Sequence, residues 1–225
     1  MIDLAGWTPR PPPGQVALIG ASVRLEPLDW AVHGEGLFAA VGGEGNAAIW
    51  RHMPTGPFLE AGALHRLLED NRAHEGWRPM IVRIAPDGAI GGMASYMRIR
   101  EAHGAAEIGC VAFGARLQRT RAASEVFSLM AAHVFNDLGY RRYEWKCNQA
   151  NAASKRAAER FGFVFEGTFR QDMVTKGKSR DTAWYSILDA EWPALQAALA
   201  AWLAPDNFAA DGRQIRNLES FRRPA

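Results

Sequence analysis

Glu107 to Phe163 reads EIGCVAFGARLQRTRAASEVFSLMAAHVFNDLGYRRYEWKCNQANAASKRAAERFGF, and the fold can be worked outward from it. Val111 and Phe113 alternate with smaller neighbours, the period of a strand. A polar loop, 114–121, follows and opens an apolar helix carrying Val126, Phe127, Met130, Val134 and Leu138, with Gly139 placed as its C-terminal cap. Tyr143 to Cys147 is a short strand. Asn151 can cap a helix from Ala152 to Phe161, which Gly162 ends. Strand, loop, helix, strand, helix in this order is a compact α/β unit.

Upstream, Val23 to Pro27 alternates as a strand, Asp29 can cap a helix to Val41, and Gly42-Gly43 ends it. Residues 44–58 read as irregular, and a helix is expected from Leu59 to His74 with Leu64, Leu67 and Leu68 on one face. Met80–Ile84, Ile90–Arg100 and Ala106–Phe113 are three strands joined by turns at Pro86-Asp87-Gly88 and His103-Gly104. Downstream, Phe163–Thr175 and Thr182–Leu188 form a hairpin across Lys176-Gly177-Lys178, and a last helix runs to about Leu203. The expectation is a single α/β (α+β) domain over 21–203, with a mixed, mostly antiparallel central sheet flanked by helices. An extended Pro-rich arm occupies 1–20 and a polar tail 204–225.

Composition bounds the function. The chain has 225 residues, 48% apolar and 22% charged, enough to bury a core without staples. A formal charge of +2 argues against a dedicated nucleic-acid binder. Cys110 and Cys147 belong to no metal or disulfide pattern, so no metal is expected. With no leader-like start and no apolar run near the roughly 20 residues of a membrane helix, a soluble cytoplasmic protein is expected.

A strand handing over to a helix N-terminus is a setting for phosphate, because the first N–H groups of the helix are unpaired. Here Gln118-Arg119-Thr120-Arg121-Ala122-Ala123 supplies cations and small residues at that point; it also reads as a solvated basic loop. Together with Asn151-x-x-Ser154, Gly162-Phe163, Glu166-Gly167 and Glu191-Trp192, it resembles the GNAT acetyltransferases, and within them the RimJ/RimL-like branch. The resemblance spans about 21–192. It implies acetyl-CoA as co-substrate, a GNAT-type domain, and transfer of an acetyl group directly to a primary amine without an acyl-enzyme.

Family members hold the pyrophosphate with a Gln/Arg-x-x-Gly-x-Gly/Ala loop, which this chain matches at Gln118 and Ala123. Arg121 replaces a glycine, so either its guanidinium meets phosphate or cofactor binding weakens. By the same resemblance Val111 and Phe113 lie on the strand that pairs with pantetheine, and Asn151 and Ser154 contact the cofactor. The position of the family's tyrosine acid holds Ala158. Glu107 is the candidate base, or an ion-paired strand residue; Ser154 could donate to the leaving thiolate, or serve only its helix. The acceptor, a small-molecule amine or a protein N-terminus, would meet Trp50, His52, Met53, Phe58, Trp184 and Tyr185, unless these aromatics are core. A non-catalytic acyl-CoA-binding domain is the alternative, and a monomer or homodimer fits either.

Overall fold

A computed structural model describes residues 3–222. Its strands are β1 (Leu18–Ile19), β2 (Val23–Pro27), β3 (Arg78–Ile84), β4 (Ala89–Arg100), β5 (Ala105–Phe113), β6 (Arg142–Asn148), β7 (Val164–Thr175) and β8 (Lys178–Leu188). Its helices are α1 (Trp30–Val41), α2 (Ala61–His74), α3 (Arg121–Ala132), α4 (Ala152–Phe161), α5 (Trp192–Leu203) and α6 (Leu218–Arg222). All eight strands form one sheet in the order β1-β2-β3-β4-β5-β6-β8-β7. Every pairing is antiparallel except β5 with β6. The expected mixed sheet in a single α/β domain is what the chain builds.

Alternation along the strands feeds two cores. On β3, Met80 and Val82 enter one core and Ile81 the other; on β4, Tyr96 and Met93 part in the same way. The first core lies under α3, α4 and α5 and is rich in stacked aromatics, with Phe127 against Phe161 at 4.3 Å and Phe135 against Trp192 at 5.2 Å. The second lies under α1 and α2 and is closed by Leu37, Leu64, Leu68 and Trp50. Helices therefore cover both faces, as a sheet with two apolar sides requires.

Three details depart from the sequence expectation. Residues 44–50 are a 3₁₀ helix rather than irregular, which carries Trp50 inward. The long apolar helix changes to a π turn over His133–Asp137 before Gly139 takes φ +68; such a turn absorbs one extra residue without breaking the helix. The segments outside 21–203 are docked on the sheet. β1 pairs with β2, the Tyr140 hydroxyl donates to Pro11 O at 3.1 Å, and Leu218 of α6 is 1% exposed in the main core.

The feature that positions the site is on β5. Ser95 pairs with Gly109 and Met93 with Ala112, so β5 carries one extra residue at Cys110–Val111, and Cys110 takes φ 44. Such a bulge bends its strand. β6 pairs with β5 only from Ala105–Arg142 to Ile108–Trp145. Beyond that, to Phe113 and Asn148, the two parallel strands part.

Candidate functional site

A groove of about 1570 Å³ runs through this parting, from the N-termini of α3 and α4 to the loop after Trp50. At the α3 end the loop is held from behind. Gln118 N–H donates to Gly114 O, the Gln118 side chain donates to Phe113 O at 2.6 Å, and Arg119 turns the chain with φ 61. Thr120 caps the helix: its Oγ1 accepts from Ala123 N–H at 3.1 Å and donates to Leu117 O at 2.7 Å. The N–H groups of Arg121 and Ala122 have no acceptor among the described residues. Two open amides at the positive end of a twelve-residue helix suit an anion. Arg121 does not reach outward freely. Its guanidinium donates to Leu203 O and lies 4.8 Å over the Phe208 ring, which ties the loop to the segment after α5.

On the opposite wall Asn151 Oδ1 accepts from Ser154 N–H at 3.1 Å, which caps α4. Ser154 Oγ accepts from Trp145 Nε1 at 2.9 Å, and its own hydroxyl faces the Cys147 thiol. Cys147 is buried beside it, and burial raises its thiol above the ordinary range, which disfavours the thiolate.

The floor carries the buried acid. Glu107 is 4% exposed, with Lys146 Nζ at 3.0 Å and Arg98 Nε at 3.8 Å from Oε2. Lys146 meets Oε2 as a close ion pair. Burial pushes the Glu107 carboxyl up to about 6, against the opposing pull of Lys146 and Arg98. It is thus a carboxylate near neutral pH that can still accept a proton. No tyrosine lines the groove among the described residues, in keeping with Ala158 at the position of the family acid.

Of the residues singled out in the sequence, the structure brings Glu107, Val111, Phe113, Arg119, Thr120, Arg121, Ala122, Ala123, Asn151, Ser154, His52 and Met53 to this groove. Gln118 supports the loop from behind instead. Trp50 does not reach the groove: it is fully buried, donates to Val41 O at 2.7 Å and packs edge-on against Phe58 at 4.7 Å. Tyr185 is likewise core, 2% exposed. Trp184 sits one layer behind, packed at a tilt against Phe169, and the Lys146 ammonium and Arg98 guanidinium rest on its ring at 4.8 and 5.2 Å. Sequence reasoning missed Arg98, Lys146 and Arg180, all of which line the groove. The available signal was a cation between two apolar neighbours on a strand, as in Trp145-Lys146-Cys147.

A mixed sheet whose parallel pair parts beside two capped helix N-termini is a fold shared with solved acetyltransferases. A GCN5-related N-acetyltransferase from Brucella melitensis is 44% identical, with a TM-score of 0.92 over 97% of this chain and 99% of that one. A probable acetyltransferase of the GNAT family from Chromobacterium violaceum is 42% identical, with a TM-score of 0.79 over 86% of this chain and 96% of that one. The spermidine N-acetyltransferase of Vibrio cholerae, solved with CoA and spermine, shares the fold at 17% identity, with a TM-score of 0.63 over 77% of this chain and 99% of that one. A model of the acetyltransferase (GNAT) domain family matches residues 23–164. The chain belongs to that family. No curated protein matches it. No helix among the described residues is long and apolar enough to cross a membrane.

Proposed function

We propose that this protein is an acetyl-CoA-dependent N-acetyltransferase of the RimJ/RimL-like branch, acting directly on a primary amine without an acyl-enzyme. The observation that carries it is the groove itself: open amides at the α3 N-terminus at one end, and a buried carboxylate, Glu107, on the floor at the other. The residues present fit acetyl-CoA. Arg121 and Ala122 N–H groups and Arg119 receive the pyrophosphate, the parted edges of β5 and β6 receive the pantetheine arm, and Asn151 and Ser154 border it.

Bound acetyl-CoA supplies the thioester carbonyl. Glu107 takes a proton from the incoming ammonium, directly or through water, so that nitrogen can attack. As the N–C bond forms and the C–S bond breaks, the departing sulfur takes the Ser154 proton, and the second proton leaving the acylated nitrogen restores the hydroxyl, so that amide and free thiol are the products. An α-amine, with an ordinary pKa of about 7.7–8.0, needs less of this help than a lysine at about 10.4. Unpaired Cys110 and Cys147 suit a reducing cytoplasm.

Calorimetry with acetyl-CoA tests the reading first. Micromolar binding is expected for the wild type, weakened more than about tenfold in Arg121→Glu, where a carboxylate meets the phosphates beside the open amides. Asn151→Ala should weaken it too and cost about 1 kcal/mol of stability through the lost cap. No binding by the wild type would sink the proposal. The second reading, an acyl-CoA-binding domain without turnover, is favoured by one observation, the Arg121 side chain tied back to Leu203 and Phe208. Tight binding with no thiol release on any amine would establish it.

A further inference from the structure

The acceptor end of the groove holds more positive charge than an amine acceptor calls for. The tip of the β7–β8 hairpin reaches across to the 3₁₀ segment: Lys176 Nζ donates to Trp50 O at 2.8 Å, and Arg180 Nη1 lies 3.5 Å from His52 O. This reach carries Arg180 into the groove wall, where it is 8% exposed. Its Nε has no hydrogen-bond partner, and no carboxylate lies within ion-pair distance among the described residues. Asp172, exposed on β7, and Glu107 are felt only at longer range, and burial lowers the guanidinium's affinity for its proton. A buried charge without a counter-ion is unfavourable, and such a group is accounted for when something else completes it.

We propose that Arg180 anchors a carboxylate on the acceptor, so that the substrate is a primary amine bearing a carboxylate rather than a polyamine. The inference rests on the transferase reading above. Lys146 cannot serve in its place, being committed to Glu107, and Arg98 is shared between Glu107 and the Trp184 ring. Arg98, Lys146 and Arg180 therefore face one carboxylate, Glu107, and a polycation entering here meets like charge. A zwitterion meets complementary charge at both ends, its carboxylate on the planar guanidinium fork and its amine toward Glu107. The carboxylate has two sources, a free amino acid or the acidic first residue of a peptide.

Thiol release with saturating acetyl-CoA tests this on the free amino acids, their amides, spermidine, and dipeptides beginning with Asp or Glu. Acids are expected to exceed their amides by about 10- to 100-fold in kcat/KM, the worth of a hydrogen-bonded charge. The free amino acid and dipeptide arms separate the two sources. In Arg180→Met the acid-to-amide ratio should fall toward one, chiefly through KM, with Arg180→Lys between; acetyl-CoA calorimetry confirms that both variants are folded. Amides or spermidine used as well as acids, or an unchanged ratio in Arg180→Met, overturns the proposal. If no amine releases thiol, the transferase reading fails and binding decides this one. N-acetyl amino acids should bind the protein–CoA complex better than N-acetyl amino amides, and Arg180→Met should abolish the difference; equal binding by the wild type overturns it.

Discussion

Glu107→Gln is expected to lower kcat by about 10²- to 10³-fold, the usual worth of a positioned base, with the affinity for acetyl-CoA little changed. The pH profile carries the sharper test. A base must be ionised, and burial holds Glu107 near 6, so kcat/KM of the wild type falls as pH drops through about 6. The acceptor's own ammonium adds a second break near about 8 for an α-amine. In Glu107→Gln the lower break should vanish and the upper one remain. Lys146→Met removes a cation that pulls the Glu107 carboxyl down, so there the lower break should move above 6. A wild-type profile in Glu107→Gln would mean that proton transfer runs through some other group.

Trp50→Ala should destabilise the fold by about 3–5 kcal/mol, the range for an aromatic removed from a packed core. Trp50 is fully buried, and its ring sits edge-on to Phe58 in the core under α1 and α2. Trp50→Phe keeps most of the apolar contact but leaves Val41 O without its donor, at a cost of about 1–3 kcal/mol. Urea midpoints with an unchanged slope would measure both. Because Trp50 O also accepts from Lys176, loosening this residue should disturb the acceptor loop as well as the core. A midpoint within error of the wild type would show that Trp50 does not hold the core together.

The helices and strands were legible because their periods are clean. Asn151 and Gly162 mark both ends of α4, as the sequence says. The polar loop before α3 was legible as the lead into a helix N-terminus, and Thr120 caps that helix. What the local pattern could not show was depth. Trp50, Trp184 and Tyr185 are alike in sequence as aromatics near a groove, yet tertiary packing places two in cores and one beneath a pair of cations. Nor does alternation reveal that Arg180, near the turn of the closing hairpin, is carried inside by the hairpin's reach toward His52. Arg121 is the same lesson in reverse: its partners, Leu203 and Phe208, lie about eighty residues away in the chain, beyond any local pattern.

The parting of β5 from β6 has a consequence for how the molecule breathes. From Gly109 to Phe113, backbone groups on the β6 side have no ladder to join, while Gly109, Ala112 and Phe113 keep their pairing with β4. The amides of this stretch that face the gap should therefore exchange faster than those paired with β4, although the stretch lies inside the sheet and not at its edge. A ligand arm lying along the gap would act as a ninth, non-peptide strand and slow the fast set. The sheet is thus continuous at one end of its parallel pair and open at the other.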